Sequence, residues 1–147
     1  MKYGKYVVTD PSDVKQGGLA LVYRSVHPEF QIEIAIKVPS PPPDIPDHYK
    51  EMFYELFRKE VENTGKLRHE NIVRTFDAEI PPGETPFLVM EYLPSSVQEL
   101  LSCKGTLDWK KVVQIGKEIC AGLKYAHERH PSIFHRDIKP ANLLLDN

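Results

Sequence analysis

Residues Ile32-Glu33-Ile34-Ala35-Ile36-Lys37-Val38 decide the fold class. Ile32, Ile34, Ile36 and Val38 alternate with Glu33, Ala35 and Lys37, a period of two that predicts a strand with one apolar and one mixed face. Upstream, the Gly17-Gly18 pair opens a second β-prone run, Leu19–Val26, and His27-Pro28-Glu29 turns the chain back, which predicts a hairpin. Tyr6-Val7-Val8 is a further short run, closed by Asp10-Pro11-Ser12-Asp13. Downstream, Pro39–Pro46 holds five prolines, which cannot donate to a helix or a ladder, so it reads as a stiff connector. An SH3-type ligand is its other reading.

Beyond the connector the period changes. Asp47 is placed to cap a helix running to about Leu67, with Tyr49, Phe53, Leu56 and Phe57 on one stripe, continued by Thr64 and Leu67. Ile72–Ile80 and Phe87–Leu93 read as strands around a polar turn that includes Pro81-Pro82-Gly83. Ser96 with Glu99 forms a capping box for a short helix through Leu101, and Asp108 caps a longer one to about His130. Five strands interrupted by one helix and followed by helices predict an α+β fold with an antiparallel sheet, not an alternating βα sheet.

Composition narrows the function classes. With 147 residues, 41% apolar and 27% charged, the chain has the size and make-up of one globular domain rather than a disordered segment. A formal charge of -2 gives no electrostatic case for nucleic acid or an anionic membrane. Cys103 and Cys120 form neither a disulfide framework nor a metal spacing. No apolar run is long enough for a secretory signal or a spanning helix, so the expected location is cytoplasmic.

Two sets of polar residues stand where periodicity alone would not put them. Lys37 lies inside an apolar strand, and a buried ammonium needs a partner unless its stem snorkels at a sheet edge. Setting Phe53 at 0° and stepping about 100° per residue puts Phe57 at about +40°, Glu60 at about -20° and Glu62 near 180°. Glu60 therefore falls in the apolar stripe and is the carboxylate expected to meet Lys37, while Glu62 faces solvent. The second set is His135-Arg136-Asp137-Ile138-Lys139-Pro140-Ala141-Asn142, a polar loop between Ile133-Phe134 and Leu143-Leu144-Leu145. Asp137 can accept a proton, Lys139 can hold an anion, and Asn142 can offer an oxygen to a hard cation; a solvated turn is the plain alternative. His127, His130 and His135 lack the spacing of a zinc site.

Taken together and in order, these motifs resemble the protein kinase family, of Ser/Thr type, over essentially the whole chain. Ala35-Ile36-Lys37 matches the nucleotide-binding lysine strand, and Glu60 matches its partner on the family's C-helix, ahead of His69-Glu70-Asn71-Ile72-Val73. Leu88-Val89-Met90-Glu91-Tyr92-Leu93 resembles the gatekeeper and hinge, and His135-Arg136-Asp137 through Asn142 resembles the catalytic loop. The resemblance implies a protein-kinase-like α+β fold: a five-stranded N-lobe and hinge over residues 1–93, and an incomplete helical C-lobe over 94–147. It further implies that Lys37 holds ATP phosphates, Glu60 orients Lys37, and Val22, Ala35, Met90 and the backbone of Glu91 to Leu93 surround the adenine. Asp137 would orient and deprotonate a protein Ser/Thr hydroxyl, Lys139 would approach the transferred group, and Asn142 would take one Mg2+.

Two departures accompany the match. The glycine-rich loop falls on Lys15-Gln16-Gly17-Gly18-Leu19-Ala20-Leu21-Val22, where Gly17 is the central glycine and Lys15 and Ala20 replace the outer two. Gly18 is expected to restore part of the lost freedom. The sequence also ends at Asn147 without Asp-Phe-Gly or Ala-Pro-Glu, from which a partial chain with little or no transfer of its own is expected. A pseudokinase-like nucleotide-binding module, or an interaction piece using Pro41-Pro42-Pro43, are the rivals. The apolar side of the 108–130 helix would then take a complementing C-lobe chain or a second copy.

Overall fold

The computed structural model describes residues 1–17, 20–81 and 84–146; Gly18, Leu19, Pro82, Gly83 and Asn147 lie outside the described residues, and with them the expectations placed on Gly18 and on part of the Pro81-Pro82-Gly83 turn. Two compact units are present. One comprises residues 1–66 and 74–92, the other residues 67–73 and 93–147.

In the first unit, β1 (Lys2–Tyr3) pairs antiparallel with β2 (Tyr6–Val7). Then come β3 (Val14–Gly17), β4 (Ala20–Val26), β5 (Glu33–Pro39), α1 (Asp47–Thr64), β6 (Thr75–Glu79) and β7 (Phe87–Glu91). The sheet is antiparallel, five-stranded, and ordered β3-β4-β5-β7-β6. The α+β class and the five strands hold, but the membership differs. Tyr6 and Val7 pair with Lys2–Tyr3, and Val14–Gly17 takes the edge position instead. All four residues of β3 are exposed, so this strand needs no apolar alternation and leaves no periodic trace in the sequence.

The alternation of β5 sorts the two faces of the sheet. Ile34, Ile36 and Val38 are buried with Tyr23, Phe87 and Val89, and Tyr6 and Val8 close that core. The Tyr6 hydroxyl donates to Asp77 at 2.7 Å, tying β2 to β6, and burial, with Asp77 second, pushes its pKa up. On the opposite face, Phe57 and Val61 of α1 pack with Leu88, with Met90 against them.

Three details of the helix differ from expectation. Pro46 occupies the N-cap without a side-chain bond, and Asp47 is the first helical residue, paired with Lys50 at 3.0 Å. Leu56 and Tyr49 are exposed. The buried centre lies between Phe57 and Val61, which puts Glu60 about 80° away, on the flank of the buried face. Pro39 also belongs to β5, opposite Ala20, so the connector proper begins after it.

The second unit holds β8 (Ser95–Ser96), α2 (Val97–Lys104), α3 (Trp109–His127), a 3-10 turn (Pro140–Asn142) and β9 (Leu144–Leu145). Both expected caps form: Ser96 and Glu99 make the reciprocal capping box, and the Asp108 side chain accepts from the Lys110 N–H. Ile72 and Val73 precede β6 rather than starting it and belong to this unit. There the 67–73 segment presses on α3: a Cβ on Gly122 would stand 2.8 Å from the Asn71 carbonyl oxygen, and the Tyr125 hydroxyl accepts from the Arg68 N–H at 3.2 Å.

Candidate functional site

Strand register gathers the first group. Lys37 in β5 stands between Val22 of β4 and Leu88 of β7, and Ala35 stands between Arg24 and Met90. Directly opposed residues share a face, so Val22, Ala35, Lys37 and Met90 share one side of the sheet. It is the side on which α1 packs at Leu88 and Met90. Lys15 faces Val22 across the β3–β4 pair and so joins the same side.

Lys37 Nζ donates to Glu60 Oε1. Their side chains are 24% and 45% exposed, so the pair sits at a rim, where the desolvation cost is modest and so is the stability gained. Glu62 is exposed. Gly17 has an ordinary backbone, and a Cβ there would meet nothing within 4 Å among the described residues. Glu91 ends β7 with its N–H donating to the Arg74 carbonyl at 2.9 Å and its Oε1 accepting from the Arg74 N–H at 2.6 Å. Tyr92 and Leu93 follow, both half-buried.

The second group is held by the polar loop. Lys139 Nζ lies 2.8 Å from Asp137 Oδ2, and Asn142 Nδ2 donates to the same oxygen at 3.0 Å and to the Asp137 carbonyl at 2.8 Å. Sequence spacing alone left these residues as a string; the 3-10 turn at Pro140–Asn142 folds Asn142 back onto Asp137. Arg136 at φ 63 occupies the left-handed region, an uncommon backbone for a residue with a Cβ and one met at functional turns. The Asp137 N–H donates to His135 Nδ1 at 3.3 Å. Downstream, Leu144–Leu145 pairs with Ser95–Ser96, and the Val97 N–H donates to the Leu143 carbonyl at 2.8 Å. That ladder fixes the exit of the loop; the pairing of two two-residue strands carries no period that would name its partner.

Electrostatics follow from this geometry. The Lys139 hydrogen bond, then that of Asn142, holds the Asp137 carboxyl below the usual aspartate value of 3.8. It is therefore an anion throughout the neutral range and a weak proton acceptor at rest. Both contacts fall on Oδ2, and Asn142 commits its Nδ2 to Asp137, so Oδ1 of each residue is the oxygen on offer. The donor set fits a hard cation at Asn142 and a phosphate at Lys139. Among the described residues no group of three or more His, Cys, Asp or Glu forms a metal cage, and no described helix is long and apolar enough to cross a membrane.

The structure thus brings Lys37, Glu60, Val22, Ala35 and Met90 together in one unit and Asp137, Lys139 and Asn142 together in the other. Gly122 was missed; a glycine inside a helix costs up to about 1 kcal/mol, and that cost is the signal of close approach.

Comparison with known proteins bears on the family. Residues 10–147 match the family described as the protein kinase domain. The chain is 33% identical over 135 residues to the serine/threonine-protein kinase PknK of Mycobacterium tuberculosis, covering 90% of this chain and 11% of that protein. It is 34% identical over 97 residues to the serine/threonine-protein kinase PknB of the same species, covering 63% of this chain and 15% of that protein. PknB of Mycolicibacterium smegmatis gives the same identity over the same length. The chain spans a small part of the length of these curated relatives.

Proposed function

The chain belongs to the protein kinase family, and on that premise we propose that it is cytoplasmic, binds ATP and, within an intact domain, serves phosphoryl transfer to Ser/Thr hydroxyls of proteins. The observation that supports this reading best is the sharing of one Asp137 oxygen by Lys139 and Asn142. A base, a cation for the moving group and a metal ligand then occur in one fixed cluster.

The work assigned to the residues is mostly positional, because little covalent chemistry falls to the protein in this reaction. Lys37, steadied by Glu60, holds the ATP phosphates while Gly17 gives them its backbone. Val22, Ala35 and Met90 enclose the base, and the backbone from Glu91 to Leu93 reads its edge. Asp137 accepts the substrate hydroxyl's hydrogen bond at Oδ1 and aims the oxygen. It takes the proton as the hydroxyl oxygen bonds to the γ-phosphorus and the bond from that phosphorus to the bridging oxygen breaks, with ADP as the leaving group. Lys139 can leave Asp137 for the phosphoryl group as negative charge develops there. Magnesium, when bound, would neutralise phosphate charge, and Asn142 Oδ1 is the atom that would hold it.

A second reading, nucleotide binding without transfer, is favoured by Lys15 and Ala20 at two glycine positions of the loop. The two are separated by phosphate transfer from ATP to a serine peptide, measured with the chain joined to the remainder of a kinase domain. Asp137→Asn should lower the rate at least about a hundredfold. Wild-type turnover in that variant rejects Asp137 as the base, and no transfer by the parent leaves the binding reading.

A further inference from the structure

Arg24 carries contacts that no assigned role explains. It stands opposite Ala35 in the sheet, and Ala35 stands opposite Met90; Arg24 therefore shares the face proposed to hold the base. Its guanidinium is fixed on two sides. Nε donates to Glu33 Oε1 at 3.0 Å, with Nη2 on the same oxygen, and Nη1 lies 3.9 Å from Asp13 Oδ2. Thus held, the guanidinium carbon stands 4.9 Å from the centre of the Tyr92 ring. Tyr92 lies in the backbone proposed to read the base, and its neighbour Glu91 is pinned from the other side by two hydrogen bonds to the Arg74 backbone.

We infer that Arg24 is a positioning residue for the base-reading backbone: carboxylates fix its planar fork, and the fork holds the Tyr92 ring and so the backbone that carries it. The inference rests on the nucleotide-site reading above. Arginine suits the task because its plane stacks on an aromatic face while its edge keeps two carboxylate contacts, which a lysine ammonium cannot do at once. Glu33 begins β5, the strand that carries Lys37, so the same strand anchors both the phosphate-binding cation and the support of the base-binding segment.

The test compares two probes on the same chain, ATP and inorganic tripolyphosphate, by calorimetry. Tripolyphosphate has no base, so a general loosening of the fold would weaken both probes, and a positioning role would weaken ATP alone. Arg24→Ala and Tyr92→Leu are each expected to weaken ATP about threefold, the size of an exposed cation–ring contact, with tripolyphosphate unchanged. The double variant is expected to be no weaker than either single one, since both remove the same contact. Glu33→Gln, which keeps the guanidinium but loosens its seat, should move affinity the same way and covers the case in which Arg24→Ala folds poorly. Lys37→Ala is the control and should weaken both probes. If Lys37→Ala weakens both while the Arg24 and Glu33 variants bind ATP normally, the positioning role is overturned and the nucleotide site stands. Equal losses on the two probes in the Arg24 variants overturn it as well, and no effect of Lys37→Ala overturns the site itself.

Discussion

At the scale of single residues, the two ion pairs differ in what they can contribute. Lys37–Glu60 is half-exposed, so Glu60→Gln should cost at most about 1 kcal/mol of stability. Its effect belongs to the ligand: ATP affinity should fall several-fold in Glu60→Gln and stay unchanged in Glu62→Gln, read by calorimetry. Equal losses in the two variants would contradict the helix phase. Asp137 makes a pH prediction. Its pKa is lowered by Lys139 and then Asn142, so the stabilising contribution of its carboxylate is present above the unfolded value and lost as pH falls through the folded one. That window lies below about pH 4. A carbon-detected NMR titration should place the Asp137 midpoint below 3.8, and Lys139→Met should raise it. An unchanged midpoint in that variant would remove Lys139 as the main cause.

At the scale of elements, the two glycines of α3 give opposite expectations. A Cβ at Gly122 would meet the Asn71 carbonyl oxygen at 2.8 Å, a backbone atom that cannot simply turn aside, whereas a Cβ at Gly116 meets nothing within 4 Å among the described residues. Gly122→Ala should therefore destabilise by about 1–3 kcal/mol despite its better helix propensity. Gly116→Ala should stabilise by roughly 0.4–1 kcal/mol. Thermal unfolding of the two variants reads both signs, and a stabilised Gly122→Ala would deny the close packing of the 67–73 segment on α3. Elements with chemically marked ends or strict periods were legible in advance: the Ser96–Glu99 box, the Asp108 cap, and the alternation of β5. The buried phase of α1 was not, because Tyr49, Phe53, Leu56 and Phe57 form one stripe about 100° wide, of which packing against Leu88 and Met90 covers only the Phe57 side, next to Val61. Edge strand β3 and the β8–β9 pair were equally silent, being exposed or two residues long.

At the scale of the molecule, composition suggested a single domain, while the folded chain divides into two compact units. In the sequence Lys37 and Glu60 stand out because they interrupt apolar patterns, and Asp137, Lys139 and Asn142 because they crowd one loop. The sequence did not reveal how Asn142 folds back on Asp137, which depends on the turn at Pro140, nor the seat of Arg24, which depends on strand register. The proposed phosphoryl transfer depends first on the proposed nucleotide site. The most direct test is the melting temperature of the chain with ATP and magnesium, for the parent and for Lys37→Ala. A ligand that binds the folded state raises stability by RT ln(1 + [L]/Kd). The parent should show a saturable upward shift that Lys37→Ala loses; the same shift in both, or none in the parent, would contradict the account.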